Sequence, residues 1–502
     1  MKERLVRILE GNTFLVTDDR GDVEATPVVP TGLFCFDTRF LSTWVLTVNG
    51  ERLQSLAVDN PQYFESQFFL VPGAPTHYVD AKISIIRHRS IGRRLGERLT
   101  VFNHDQETAE LDVEITAECD FADLIEVRKA VPNRGGRYSN VEDGRLRLGY
   151  RREEFQREVL ISTSVPARVT ERTLSWRVCI GPQQEWSTDL EVEPLVQGAG
   201  GRDLRASLGA GSGLDKRQLR QDLEAWLAHA PRLDTDWEPL AATYRRSLID
   251  LAALRYSPLA LPHETLPAAG LPWYMTIIGR DSILTSLQAL PFVPELAATT
   301  LRLLGIDQGS RLDDFREEEP GKILREFRYG ESAAFEEQPH SPYFGSADAT
   351  PLFVVLMDEY HRWTGDDQLV REYEPEARAA LRWIDEYADL MGNGYVSYNR
   401  RNQASGVDNQ CWKENWDSIS YRDGRLPGFP RATCELQGYA YDARLRGARL
   451  AQTVWRDKAF ADYLTRQAAD LKRRFNRDFW VPEDGRGGGG YFALALEADG
   501  SQ

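Results

Sequence analysis

The run Asn409-Gln410-Cys411-Trp412-Lys413-Glu414-Asn415-Trp416-Asp417-Ser418 sets two carboxylates and two tryptophans close together. Its flanks, residues 398–406 and 420–430, read as loop. A carboxylic acid packed against indole rings loses water around its charged form, which raises its pKa toward neutrality. Such a group can donate a proton at neutral pH, the step that cleavage of a glycosidic bond requires. Indole faces also suit the apolar faces of sugar rings. The same spacing fits an aromatic turn carrying two surface acids, because perturbed and structural acids look alike in sequence. Glu414 is the candidate proton donor. Asp417 is the reserve, and its alternative role is to cap the turn at Ser418-Ile419.

The chain of 502 residues exceeds one ordinary core and suggests two or three domains. Hydrophobic residues at 42% and charged residues at 27% are ordinary for a soluble globular protein. A net charge of −16 argues against nucleic acid or an anionic membrane as partner and fits a neutral or cationic ligand. The five cysteines, Cys35, Cys119, Cys179, Cys411 and Cys434, show no C-x-x-C spacing, so neither zinc nor a disulfide scaffold is expected. Cytoplasmic localisation is the simpler expectation. Cys411 reads as a small packing residue rather than a nucleophile. The opening residues hold no apolar run of signal-peptide length, and no stretch is long enough to span a bilayer. Phosphate-loop, H-E-x-x-H and G-x-S-x-G motifs are missing. The glycine run over 485–490 reads as a flexible loop rather than a phosphate cradle.

The elements that must position the cluster fall into two regimes. Residues 1–212 read as β. Leu111, Val113, Ile115 and Ala117 alternate with polar residues, the pattern of a half-buried strand. Similar short runs recur at 14–16, 44–48, 83–86, 99–102, 146–150, 159–163 and 175–180, bordered by turn signals such as Asn49-Gly50 and Asp143-Gly144. Together they predict a β-sandwich of antiparallel sheets. Small residues over 199–213 mark the boundary, and a charged helix over 216–228 is expected to strap two domains together. From about 235 the periodicity turns helical. Helices are predicted over 236–256, from Asp281 to before Pro291, over 294–304, from a Thr350 cap to Gly365, through 377–388, over 435–453, and through 460–475. The loops 305–345 and 394–431 are long enough to be functional.

Five segments taken in order resemble the bacterial amylo-α-1,6-glucosidase and glycogen-debranching-like family. They are Gly32-Leu33-Phe34-Cys35-Phe36-Asp37-Thr38-Arg39-Phe40-Leu41, Cys119-Asp120-Phe121-Ala122-Asp123-Leu124-Ile125-Glu126-Val127-Arg128, Gly279-Arg280-Asp281-Ser282, Pro320-Gly321-Lys322-Ile323-Leu324-Arg325-Glu326-Phe327-Arg328, and the Trp412 cluster with Asp423-Gly424-Arg425. The resemblance implies an N-terminal antiparallel β-sandwich over 1–212, a linker helix over 213–234, and an incomplete (α/α)6 toroid over 235–502. It implies about seven of that toroid's twelve helices. Where the family reads Trp-Lys-Asp this chain has Trp412-Lys413-Glu414, a longer acid in the same place. The family's general base lies on a late loop that nothing here matches, so the expectation is an inactive fragment of a longer protein.

The resemblance also implies roles. Glu414 becomes the general acid of an inverting glycoside hydrolase acting on α-glucosidic linkages of glycogen-like or oligosaccharide substrates, without metal or cofactor. Arg280 and Asp281 become the pair that holds the hydroxyls of the terminal sugar, with a helix N-cap as the alternative for Asp281. Glu326, Arg328 and Asp348 line the pocket or serve as ion pairs and caps. Trp273, Tyr343, Trp412 and Trp416 are the candidate stacking rings, about half of them expected in the core. His340 reads as a structural loop histidine. A non-catalytic carbohydrate-binding protein with a degenerate barrel stands as the alternative. So does a hydrolase of small glucosides such as trehalose or glucosylglycerate. The oligomeric state is open.

Overall fold

The computed structural model describes residues 4–26, 29–73, 82–127, 134–197, 216–482 and 489–502. The expected boundary at 199–213, Arg128 and most of the glycine run 485–490 lie outside the described residues. Two compact units form. The first comprises Met1–Thr265, Gly270–Thr276 and Tyr329–Ala334; the second comprises Leu266–Ala269, Ile277–Arg328 and Phe335–Gln502.

The first unit is a large antiparallel sheet. Every strand expected from alternation is present; Ala109–Glu118 buries Leu111, Val113, Ile115 and Ala117 on one face. The expected sandwich has two separate sheets, but the hydrogen bonding runs unbroken through thirteen strands. The strand Glu51–Gln62 makes the link. Asn49 and Gly50, both at positive φ, close the tight turn that starts it, and positive φ at both central residues matches the twist of the flanking strands. Glu51 and Arg52 pair with Val48 and Thr47, after which the strand turns to pair with Glu65–Pro72. Bulges between Ser55 and Ala57 and between Asp59 and Gln62 supply the bend. The sheet curls toward closure: the rings of Trp176 and Trp186, on the strands Thr173–Ile180 and Glu185–Gln197, lie 5.8 Å apart. A second, four-stranded sheet runs Val6–Glu10, Thr13–Thr17, Gly32–Cys35, Thr38–Leu41. The helices Lys216–His229 and Glu238–Ala253 pack on each other in the same unit, with the Trp226 indole N–H donating to the Leu248 carbonyl at 2.9 Å.

Charge is buried inside this sheet. Glu97 accepts from Arg87 Nε at 2.6 Å, Arg89 Nε at 2.8 Å and the Trp44 indole at 2.8 Å, and Arg87 also reaches Asp22 at 2.6 Å. Burial alone would raise the Glu97 carboxyl, but Arg87 and Arg89 outweigh it and hold it at about 2. A carboxyl held low when folded takes its proton first in the unfolded chain. Its contribution is therefore complete above the ordinary value of 4.5 and is lost as pH falls through about 2. Glu97→Gln is expected to cost about 3–5 kcal/mol, because Arg87 and Arg89 lose their counter-charge and the amide NH2 faces donors. Urea titrations of wild type and variant at neutral pH and near pH 3, followed by the β signal, check it; a gap that does not narrow in acid refutes the linkage.

The second unit is helical. Among its described residues the longer helices are Gly279–Ala289, Glu295–Ile306, Ala349–Thr364, Glu374–Glu386, Cys434–Thr453 and Lys458–Asp478, with a short Asp367–Glu372. Ala349–Thr364 is central, packing on Gly279–Ala289, Glu295–Ile306, Glu374–Glu386 and Cys434–Thr453. Gly365 closes it as expected, but its start differs. Asp348 is the flanking residue, and Thr350 sits inside the first turn, where its hydroxyl accepts from Ile323 N at 2.9 Å. No described helix is long and apolar enough to cross a membrane.

Candidate functional site

The site begins where a short ribbon hands over to a helix. Ile277 pairs with Phe327 and Ile278 with Glu326, and the helix Gly279–Ala289 starts at the next residue. Gly279 N–H donates to the Arg325 carbonyl at 2.8 Å, and a Cβ at this position would lie 2.1 Å from the Leu324 carbonyl oxygen. Only glycine allows this approach. It puts Arg280 and Asp281 in the first helical turn. Asp281 is therefore not the N-cap; Ile278 is. An acid at this point faces the positive end of the helix.

The loop carrying Glu414 is pinned from behind. Asn409 is fully buried and bonded to the Tyr398 hydroxyl and Arg431 Nη1, each at 2.9 Å, while its own amide donates to the Asn415 carbonyl at 2.6 Å. The Gln410 carbonyl accepts from Ala347 N at 2.7 Å, beside Asp348 in the chain. The next carbonyl, of Cys411, accepts from Arg280 Nη1 at 3.1 Å. Burial pushes the Cys411 thiol up to about 11, which agrees with packing and not with a nucleophile.

Arg280 binds Asp348 at 3.0 Å and Glu414 at 3.0 Å, and Arg325 reaches the same Glu414 oxygen at 2.9 Å. Asp348 is fully buried and takes a second bond from the Ser346 hydroxyl at 2.5 Å. Glu414 thus sits between two guanidinium groups, where indole surroundings were expected. The indoles are solvent-exposed, Trp412 at 59% and Trp416 at 65%. Burial would raise the Glu414 carboxyl, but Arg325 and Arg280 together hold it below the usual carboxylate range. The expectation of a raised acid fails for this residue. Asp281 behaves oppositely. Burial pushes it up, Arg280 pulls it back, and the negative charge of Glu414 pushes it up again.

The remaining candidates divide. Glu326 and Arg328 form a buried ion pair at 2.8 Å, and His340 Nδ1 lies 2.8 Å from the other Glu326 oxygen. The loop histidine therefore has a carboxylate partner that sequence distance concealed. Tyr343 is fully buried, its hydroxyl accepting from Val407 N at 2.9 Å, so it is core and not a stacking ring. Asp417 is exposed. Trp273 is half-buried and belongs to the first unit.

Sequence reasoning passed over Arg325, although the segment containing it was singled out. Strand alternation was the available signal. Residues 325 and 327 share one face and 326 and 328 the other, and the reading chose the face that pairs with itself. Glu435 was also missed. It lies in the first turn of Cys434–Thr453, its Oε2 3.7 Å from Lys413 Nζ.

No curated protein matches the chain by sequence. Among solved structures, a human-microbiome protein described as a putative kojibiose phosphorylase matches with a TM-score of 0.52 at 8% identity, over 89% of this chain and 61% of that one. At that identity the likeness shows a shared fold, and the chain spans about three fifths of that protein's length. An Escherichia coli K12 protein described as a putative aldose 1-epimerase matches with a TM-score of 0.26 at 8% identity, over 38% of this chain and 98% of that one. Residues 8–191, which include both β motifs, match the N-terminal domain of (some) glycogen debranching enzymes.

Proposed function

We propose that the chain belongs to a glycoside hydrolase that cleaves α-glucosidic linkages in glycogen-like or oligosaccharide substrates, in the manner of amylo-α-1,6-glucosidases. The observation that carries the reading is the Glu414 carboxylate held by Arg280 and Arg325, with Asp348 buried behind Arg280. Guanidinium and carboxylate groups in one cluster offer a sugar both donors and acceptors. The debranching-type domain over 8–191 supports the substrate class. The successive packing of Gly279–Ala289, Ala349–Thr364 and Cys434–Thr453, with the intervening helices on their flanks, supports an (α/α)6 toroid. In the inverting mechanism one carboxyl protonates the leaving oxygen and the other activates water. Two carboxyls whose surroundings push their pKa values apart suit that division of labour. Arg325 and Arg280 lower the Glu414 carboxyl against its burial, whereas burial raises that of Asp281. Donation by Glu414 itself requires sugar hydroxyls to take over its arginine partners.

The low pKa of Glu414 favours a second reading as well, a carbohydrate-binding protein in which that carboxylate only accepts sugar hydroxyls. The two separate when the whole protein of which the chain is proposed to be part is incubated with maltooligosaccharides, branched glucan, trehalose and glucosylglycerate, each with and without inorganic phosphate. Release of glucose supports the hydrolase. Binding without release supports the second reading. Release that depends on phosphate replaces hydrolysis by phosphorolysis.

Under either reading the exposed rings Trp412 and Trp416 form the stacking platform. Trp412→Ala and Trp416→Ala are each expected to weaken maltooligosaccharide binding about tenfold by calorimetry. The melting temperature is expected to hold, since neither ring is in the core. Unchanged affinity in both variants removes the platform.

A further inference from the structure

The β motifs at 32–41 and 119–127 contain none of the groups around Glu414, yet hydrogen bonds tie them to each other and to a distant segment of the chain. Arg39 is 6% exposed and binds Asp120, joining the two motifs. Phe36 and Asp37, neither of them glycine, both take positive φ at the turn between Gly32–Cys35 and Thr38–Leu41. Such backbone persists only where its surroundings over-determine it. Here the Asp37 carbonyl accepts from Leu124 N at 2.7 Å, and its carboxylate accepts from Tyr329 N at 2.9 Å.

Tyr329 opens the segment Tyr329–Ala334, which the first unit grips along its length. The Tyr329 ring packs edge-on against Phe36 with centroids 5.3 Å apart, and its carbonyl accepts from Arg157 Nη2 at 3.1 Å. A Cβ on Gly330 would lie 2.2 Å from Asp123 Oδ2. Glu331 takes the Tyr150 hydroxyl at 2.7 Å and Arg152 Nη1 at 3.0 Å. Ser332 gives both its backbone N–H, at 3.1 Å, and its hydroxyl, at 2.7 Å, to Asp123 Oδ2.

By chain connection this segment is the outer end of the site ribbon. The strand Glu326–Phe327 runs through Arg328 into Tyr329. Its partner Ile277–Ile278 is preceded by Gly270–Thr276, which also belongs to the first unit. Within that second tether Gly270 and Tyr274 exchange backbone bonds at 3.3 and 2.8 Å, and Met275 and Thr276 are buried. The ribbon's two residue pairs are joined by one further pairing, of Glu326 with Tyr343, and a ribbon this short has little stability of its own. Arg325 immediately precedes one of its strands and Arg280 lies two residues after the other.

We propose that the two β motifs are a positioning socket: by gripping Tyr329–Ala334 they hold the ribbon that fixes Arg280 and Arg325 as a fork on Glu414. Asp37, Asp123 and Tyr150 are then positioning residues whose loss is felt beyond their own unit. The inference goes beyond the proposed function and does not depend on which sugar binds.

Hydrogen exchange of the 502-residue chain, read by mass spectrometry, tests it without substrate. The reporters are the amides of Gly279, Arg325 and Arg328, which donate to the carbonyls of Arg325, Tyr343 and His340 at 2.8, 2.7 and 2.7 Å. Tyr150→Phe and Asp123→Ala are expected to speed exchange over 277–280 and 325–328 by about tenfold or more, the worth of one charge-assisted bond. The helix Lys458–Asp478 is expected to exchange as before. Asp123→Asn, which keeps an acceptor for Ser332, is expected to restore most of the protection. Because Asp123→Ala also removes a cap on Ile125 N, Ser332→Ala serves as a second variant made on the gripped segment. If these variants loosen 329–334 and leave 277–280 and 325–328 at wild-type rates, the grip is local and the proposal is overturned.

Discussion

Replacing Glu414 by glutamine in the whole protein of which the chain is proposed to be part is expected to lower glucose release from maltooligosaccharides by about 10²–10⁴-fold, the range typical for loss of a positioned acid or base. The fold is expected to survive, because the carboxylate is 36% exposed and its removal leaves Arg280 paired with Asp348. The pH profile then shows which form of Glu414 matters. Its carboxyl is held down by Arg325 and Arg280 against burial, so a step that needs the ionised form stays flat through neutral pH. That step fails only below the ordinary carboxylate range, and Glu414→Gln removes this acid limb. Asp281 is pushed up by burial, so a step that needs its protonated form fails on the alkaline side, at a pH above the ordinary carboxylate value. Asp281→Asn removes that limb. An acid limb that survives Glu414→Gln, together with unreduced turnover, excludes Glu414 from the chemistry.

Arg280→Met is expected to cost the second unit about 3–5 kcal/mol, because it strands a fully buried carboxylate. Among the described residues Asp348 then keeps the Ser346 hydroxyl, and the Cys411 carbonyl loses the Arg280 donor. The loop over 409–415 then loses its tie to the helix Gly279–Ala289, so sugar binding falls together with stability. Urea unfolding followed by the helical signal measures the loss. The double variant Arg280→Met, Asp348→Asn is expected to recover most of the stability but none of the sugar binding, since the buried charge is gone and the fork on Glu414 is still broken. A single variant within about 1 kcal/mol of wild type contradicts a buried, interdependent pair.

Asp348 and Arg325 illustrate two different kinds of legibility. Asp348 sits just before a strongly periodic apolar helix, and the motif around Gly279-Arg280-Asp281 precedes another, so both could be placed at helix starts from sequence. Arg325 differs from Glu326 by one position, and one position in a strand selects the opposite face. Which face met Glu414 depended on the pairing of Ile277–Ile278 with Glu326–Phe327, a contact between residues about fifty apart in the chain. The continuous sheet has the same origin. Eight strands between 14 and 180 were visible one by one, but Glu51–Gln62, Glu65–Pro72 and Gly136–Glu142 were not, and the bulged strand Glu51–Gln62 joins the two halves through only two residue pairs at its start.

Short-range patterns were enough for the order of the elements: alternation at 111–117, helical stripes from 235 onward, turn residues at Asn49-Gly50, and the closing Gly365. These depend on neighbours within a few positions, whose effects add along the chain. The proton affinity of Glu414 does not. Sequence placed it among indoles, and folding left both rings exposed and brought in a guanidinium from 134 residues away. Electrostatic energy follows distance through space, so the direction of that carboxyl's shift was decided only when the ribbon, the helix start and the loop had been packed together.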